Sequence, residues 1–178
     1  MAVVTPLRIP ETKPATELVD GRLHRKVSPK YRHARIQGEF YRHFFDWAKN
    51  RGRVGTEWRF AFAWPGQERQ SLVPDFAYLS YARLPREQRE AAEEPQVAPD
   101  VAVEIWSPSD RRKLVARKIE LYLAAGCVLV LEIDPKRRSV SAHDRSGSRT
   151  YAEGDVFEHV ALPGFRLDLR ELFAALDD

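Results

Sequence analysis

The stretch PDVAVEIWSPSD, residues 99–110, decides how the chain is read. Side chains alternate along an extended chain, so Val101, Val103 and Ile105 face one way and Ala102, Glu104 and Trp106 the other. Glu104 is the carboxylate in the middle of an otherwise apolar strand. Burying it is costly unless a partner or a metal compensates the charge. SPSD then supplies an N-cap signal for a helix running to about Ala125, with Gly126 as its C-cap. CVLVLEID, residues 127–134, is a continuous apolar run bounded by Gly126 and Pro135, which predicts a buried strand.

The helix between these strands has a phase. At 100° per residue, Leu114, Val115, Ile119, Leu121, Tyr122 and Ala125 fall on one broad arc, and Lys118 falls inside it. Lys113, Arg117 and Glu120 fall outside. Lys118 is the lysine of this helix that periodicity turns inward, toward Glu104 on the preceding strand or toward Asp75. A long aliphatic stem also lets such a lysine snorkel to water, and that reading stands beside the first.

Upstream, SLVPDFAYLS, residues 71–80, reads as a strand in which Asp75 is the one carboxylate. Asp75 either joins Glu104 around a shared cation or forms a turn after Pro74. Glu104 likewise has a plain alternative, a surface position on an edge strand. Mg²⁺ takes oxygen ligands, commonly one or two carboxylates with water and substrate phosphate. Two carboxylates and a lysine beside such an ion form a phosphodiesterase constellation.

Further out, TELVDGRLHRKV predicts two short strands around an Asp20-Gly21 turn. A helix is predicted from Tyr31 to about Asn50, with His33 and Gln37 on the same arc as Phe40, Phe44 and Trp47. Those two polar groups either line the site or are satisfied within the core. VGTEWRFAFAW reads as a strand, in which Glu57 adds a carboxylate to the site or pairs with Arg59. Residues 84–99 read as a charged loop with room for a helical turn. After residue 135 come further short strands and a closing helix capped by Asp168; Asp134 reads as a turn former. Arg111 and Arg112, at the start of the Lys118 helix, are either phosphate contacts or solvated arginines. The remaining histidines have no mutual metal-ligand spacing. Strands and helices in this order predict an α/β or α+β sandwich around a mixed central sheet, with residues 1–16 as an arm and 17–178 as a single domain.

Composition narrows the class. The chain has 178 residues, 43% apolar and 31% charged, ordinary for a soluble globular domain. It contains no membrane-length apolar run and no signal-peptide pattern, so a cytoplasmic protein is expected. One cysteine, Cys127, leaves no intrachain disulfide and no Cys-rich zinc site. The formal charge is +3, and 22 of the 29 basic residues are Arg. Arg is the better fork for phosphate, although coding bias and thermophily also enrich it.

VPDFAYLS, PDVAVEIWSPSD, Lys118 through Tyr122 and AAGCVLVLEIDP together resemble the Uma family of restriction endonucleases, within the PD-(D/E)XK superfamily. ELVDGRL, His33 with its helix, and LPGFRLDLRELF extend the resemblance from about Glu17 to Phe173. It implies a restriction-endonuclease-like mixed sheet flanked by helices, with an N-terminal hairpin extension. It further implies a DNA endonuclease in which Asp75 and Glu104, helped by the Ile105 carbonyl, bind Mg²⁺ or Mn²⁺. The superfamily lysine stands two residues after the acid, where this chain has Trp106; the resemblance implies that Lys118, on the following helix, takes that role. A homodimer is expected, since cutting both strands needs two sites. Two rivals remain at this point: a non-catalytic nucleic-acid-binding module on the same fold, and an interaction protein that kept the fold. A small-molecule hydrolase ranks last, because no nucleophile motif is present.

Overall fold

A computed structural model describes residues 9–63, 68–107 and 111–177. The hairpin forms as its turn chemistry requires. β1 (Thr16–Val19) and β2 (Arg22–Arg25) pair antiparallel across Asp20 and Gly21, both at positive φ (47° and 72°). α1 (Tyr31–Ala48) follows, burying His33, Ile36, Phe40, Phe44 and Ala48 at helical spacing.

The next two apolar runs each divide, contrary to the sequence reading. VGTEWRFAFAW becomes β3 (Gly52–Thr56) and β4 (Phe60–Phe62), which belong to different sheets. Glu57 sits at the break with φ 49°, outside any strand. SLVPDFAYLS becomes β5 (Gln70–Leu72) and β6 (Phe76–Ser80). Pro74 has no N–H to give a ladder, so pairing stops there and the chain crosses from one sheet to the other. Asp75 therefore lies just before β6 and not within a strand, with its amide donating to the Val103 carbonyl at 3.0 Å. The charged loop carries a short 3₁₀ turn at Glu90–Ala92.

β7 (Val101–Ile105), α2 (Arg112–Ala124) and β8 (Leu129–Asp134) then form a crossover between parallel strands. The expected SPSD cap falls on residues 108–110, outside the described residues. The described helix opens with Arg111 at its cap position and closes at Gly126, whose φ of +94° turns the chain toward β8. β9 (Ser139–Asp144), β10 (Gly147–Ala152), β11 (Val156–Phe157), β12 (Leu167–Asp168) and α3 (Leu169–Ala174) complete the order. Asp168 caps α3 by accepting from the Arg170 amide at 2.9 Å.

The central sheet is mixed, in the order β10-β9-β8-β7-β6-β3. One face packs on α1 and α3 through Phe40, Phe44, Phe76, Val103, Leu131 and Phe173. The other face packs on α2 and on a four-stranded antiparallel sheet, β2-β1-β5-β4, through Ala77, Ala102, Val130, Tyr122, Phe60 and Leu72. Glu104 shares the second face with Ala102. The hairpin, the break before β6 and the N-terminal half of α1 meet at that end of β7. Among the described residues no helix is long and apolar enough to cross a membrane.

Candidate active site

The strand and helix register brings Glu104 and Lys118 together. Lys118 is one turn and a half into α2, and its ammonium lies 2.7 Å from both carboxylate oxygens of Glu104. Both residues are buried. Snorkelling does not occur, because Lys118 meets a second carboxylate, Glu17 of β1, at 2.9 Å. Glu17 in turn accepts from the Val73 amide at 2.8 Å, and the Tyr122 hydroxyl donates to Glu104 at 3.2 Å.

Asp75 heads a second cluster. Its Oδ2 accepts from the Ile105 amide at 2.7 Å and faces His33 Nε2 at 3.1 Å. Its Oδ1 faces the ammonium of Lys26 at 2.7 Å. Lys26 also donates to the Val73 carbonyl at 2.8 Å and lies 3.1 Å from Glu57. Gln37 fixes the backbone here, donating to the Asp75 carbonyl at 2.7 Å. Glu57 thus pairs with Lys26 and not with Arg59, whose guanidinium is taken by the Thr16 carbonyl and Ser71. The Nδ1 of His33 is buried without a partner among the described residues.

Both clusters open on one cavity of about 460 Å³, lined by Glu17, Lys26, His33, Glu57, Asp75, Glu104, Ile105 and Lys118. Trp106, Ser107 and Arg111 stand at its side. Arg112 is not among the lining residues; its guanidinium lies over the Trp106 ring at 5.3 Å. The Trp106 indole N–H donates to Glu132, which His143 also meets at 3.0 Å. Asp134 forms the turn expected of it, accepting from the Lys136 and Arg137 amides.

The electrostatics follow from burial. Burial alone raises a carboxyl, but Lys26, then His33 and Lys118, hold Asp75 well below the usual carboxylate range. At Glu104 burial prevails over Lys118, and with Asp75 and Glu17 nearby the carboxyl is pushed up to about 7. Burial disfavours charge on Lys118, yet Glu104 and Glu17 raise its pKa and keep it protonated. Burial opposes and Asp75 reverses the shift at His33, which also rises.

Four carboxylates, Glu17, Glu57, Asp75 and Glu104, line the cavity together with Lys26, Lys118, Arg25 and Arg111, so oxygen ligands for a hard cation stand beside cationic groups. Among the described residues no three His, Cys, Asp or Glu side chains are gathered as a ready metal cage. The donor set instead matches the Mg²⁺ habit of one or two carboxylates supplemented by water and substrate oxygen. Lys26 balances the charge of Asp75 at Oδ1.

Asp75, Glu104, Lys118, Ile105, His33, Gln37 and Glu57, all singled out in the sequence, lie together. Glu17 and Lys26 were not singled out. Glu17 had a signal, a charge within the strand TELV whose four residues are all buried. Lys26 had none: its partners are 31 and 49 residues away.

A mixed sheet with helices on one face, a helix and a small sheet on the other, and this pocket at a strand end define a restriction-endonuclease-like α/β protein. The profile of the Uma2 family, described as "Putative restriction endonuclease", matches residues 5–170, and the chain belongs to that family. A crystal structure from Anabaena variabilis ATCC 29413, described as "a putative nuclease belonging to DUF820", is similar over 94% of each chain, with 29% identity and a TM-score of 0.83. No curated protein matches the chain.

Proposed function

We propose that the chain is a divalent-metal-dependent endonuclease acting on DNA, with Asp75 and Glu104 holding Mg²⁺ or Mn²⁺ and Lys118 as the catalytic lysine. The observation that carries this reading is the pairing of two buried carboxylates with lysines at one cavity, in a chain of this family. The Ile105 carbonyl and water would complete the ion's oxygen shell. When bound, the ion polarises the scissile phosphate and acidifies the attacking water.

The protein's own groups do the rest. His33 and the Ile105 amide fix Asp75 Oδ2, so the free direction of that carboxylate is set. Glu104 and Glu17 hold the Lys118 ammonium in place and protonated at Nζ, from where it orients the water and offsets charge growing on phosphate oxygens. Arg111, at the cavity wall, meets the DNA backbone, and Arg112 does so beside Trp106. Two copies, one per strand, would make a double-strand cut.

One observation favours a second reading, a nucleic-acid-binding module that does not cut: both carboxylates already have lysine partners, and no three-ligand cage is present among the described residues. Nicking of supercoiled plasmid with Mn²⁺ or Mg²⁺ separates the two. The native chain is expected to nick, and Asp75→Asn, Glu104→Gln and Lys118→Met to lose at least about a hundredfold. Binding of plasmid without nicking would overturn the catalytic reading and leave the module.

A further inference from the structure

The two lysines of the pocket are built differently. Lys118 is enclosed, and its partners Glu104 and Glu17 are as buried as it is, with side chains at 8% and 4% exposure. Lys26 enters from the end of β2, and its partners are unequal. Asp75 is at 5% side-chain exposure, while Glu57 is at 41%, on the rim. The Lys26 ammonium thus bridges a buried carboxylate and an exposed one.

Asp75 is also unequal at its two oxygens. Oδ2 serves the Ile105 amide and His33, whereas Oδ1 serves Lys26. An ion reaching Asp75 from the cavity would approach Oδ1, because Oδ2 is held by two fixed donors. An ammonium and a divalent cation on one carboxylate oxygen repel each other strongly. One of them must leave, and Lys26 already lies 3.1 Å from a second carboxylate, Glu57.

We propose that Lys26 is a placeholder cation: it occupies Asp75 Oδ1 until a divalent ion arrives, then releases Asp75 and keeps its ammonium on Glu57 at the cavity rim. This rests on the reading of Asp75 as an ion ligand. In the metal-free protein Lys26 offsets the buried charge of Asp75, so the empty pocket stays folded. After release, the same ammonium lies on the rim, where substrate phosphate enters. Glu57 is then the group that keeps Lys26 and not an ion ligand, which accounts for its place at the break after β3, turned toward Lys26.

The test is Mn²⁺ binding, followed by the electron paramagnetic resonance signal of free Mn²⁺, with no DNA present. Lys26→Met removes the competitor and is expected to tighten Mn²⁺ by at least about tenfold. Glu57→Gln leaves Lys26 committed to Asp75 and is expected to weaken Mn²⁺ severalfold in the native background, and not at all in the Lys26→Met background. Asp75→Asn is expected to abolish binding. If Asp75→Asn loses binding while Lys26→Met binds no tighter than native, the placeholder is refuted and the ion site stands. Should Lys26→Met fail to fold, Glu57→Gln decides alone, and unchanged or tighter binding by it refutes the placeholder. Binding that survives Asp75→Asn, or no binding by any variant, refutes the ion site itself and the placeholder with it.

Discussion

The two faces of the central sheet are both covered, and they are covered by different chemistry. Against α1 and α3 the contact is apolar and aromatic: Phe44 alone neighbours Phe40, Trp47, Phe76, Tyr78 and Phe165, with ring centroids 4.8–5.7 Å apart. Against α2 and the small sheet, apolar packing through Tyr122 and Leu72 is interrupted by Glu17, Glu104 and Lys118, all buried. Burying ions stabilises a fold less than burying hydrocarbon of the same volume. The second face therefore carries charge at an energetic disadvantage that its stability alone does not explain. The first face supplies the rigid support on which that disadvantage is tolerated.

The contrast is broken most severely by removing an aromatic from the first face. Phe44→Ala leaves a cavity among five rings, and a loss of about 3–5 kcal/mol in unfolding free energy is expected, read from urea denaturation. The loss should be the same with and without Mn²⁺, since Phe44 touches neither cluster of the pocket. A loss under about 1 kcal/mol would mean that the face collapses around the gap and is not the rigid support described.

The second face should answer in a different manner, through pairing. Lys118→Met leaves Glu104 buried with the Tyr122 hydroxyl as its side-chain hydrogen-bond partner among the described residues, and a loss of about 3 kcal/mol is expected in metal-free protein. Glu104→Gln with Lys118→Met removes the charge stranded on Glu104, while Glu17 keeps its own and the Val73 amide, and part of that stability should return while nicking stays absent. Stability would then be recovered in part without function, as a pocket kept for chemistry requires. If the double variant is as unstable as Lys118→Met, the lysine contributes by packing and the contrast between the faces weakens.

How far the sequence discloses these two faces depends on the range of the contacts. Glu104 and Lys118 are 14 residues apart, joined by one strand end and one helix, so period two and period 3.6 suffice to aim them at each other. The apolar arc of α1 is local in the same way. Asp75 is harder. Its run of apolar neighbours reads as one strand, and only the missing N–H of Pro74 marks where the chain leaves one sheet for another. The equal run through Glu57 hides a second such crossing. Glu57 therefore reads as a strand residue that either joins the site or pairs with Arg59, whereas in the fold it lies outside a strand and pairs with Lys26. Glu17 and Lys26 reach the pocket because β1 docks on β5 through Leu18 and Ser71, a pairing between segments about fifty residues apart. No periodicity within either segment encodes that docking. What was hidden is the counter-charge of the site, and what was open is its carboxylates and its first lysine.

The smallest effect comes from the far end of the second face, where a buried polar atom has no part in the pocket. Cys127 follows Gly126, is 1% exposed, and donates its thiol toward the carbonyls of Asp100 and Leu129, each at 3.3 Å. Burial pushes its pKa up to about 12 from an ordinary 9. The unfolded chain therefore loses this proton near pH 9 while the folded chain keeps it. Stability tied to the neutral thiol is complete below pH 9 and falls as pH rises toward 12. Between pH 8 and pH 10 the native chain should lose about 1 kcal/mol more than Cys127→Ala, measured by urea denaturation of both. Equal losses would place the thiol in contact with water and show this end of the face to be open. The expected difference sharpens the comparison: on one face, burial holds Cys127 neutral well past pH 9, while at Glu104 a lysine offsets burial in part and leaves the carboxyl near its ionisation at neutral pH.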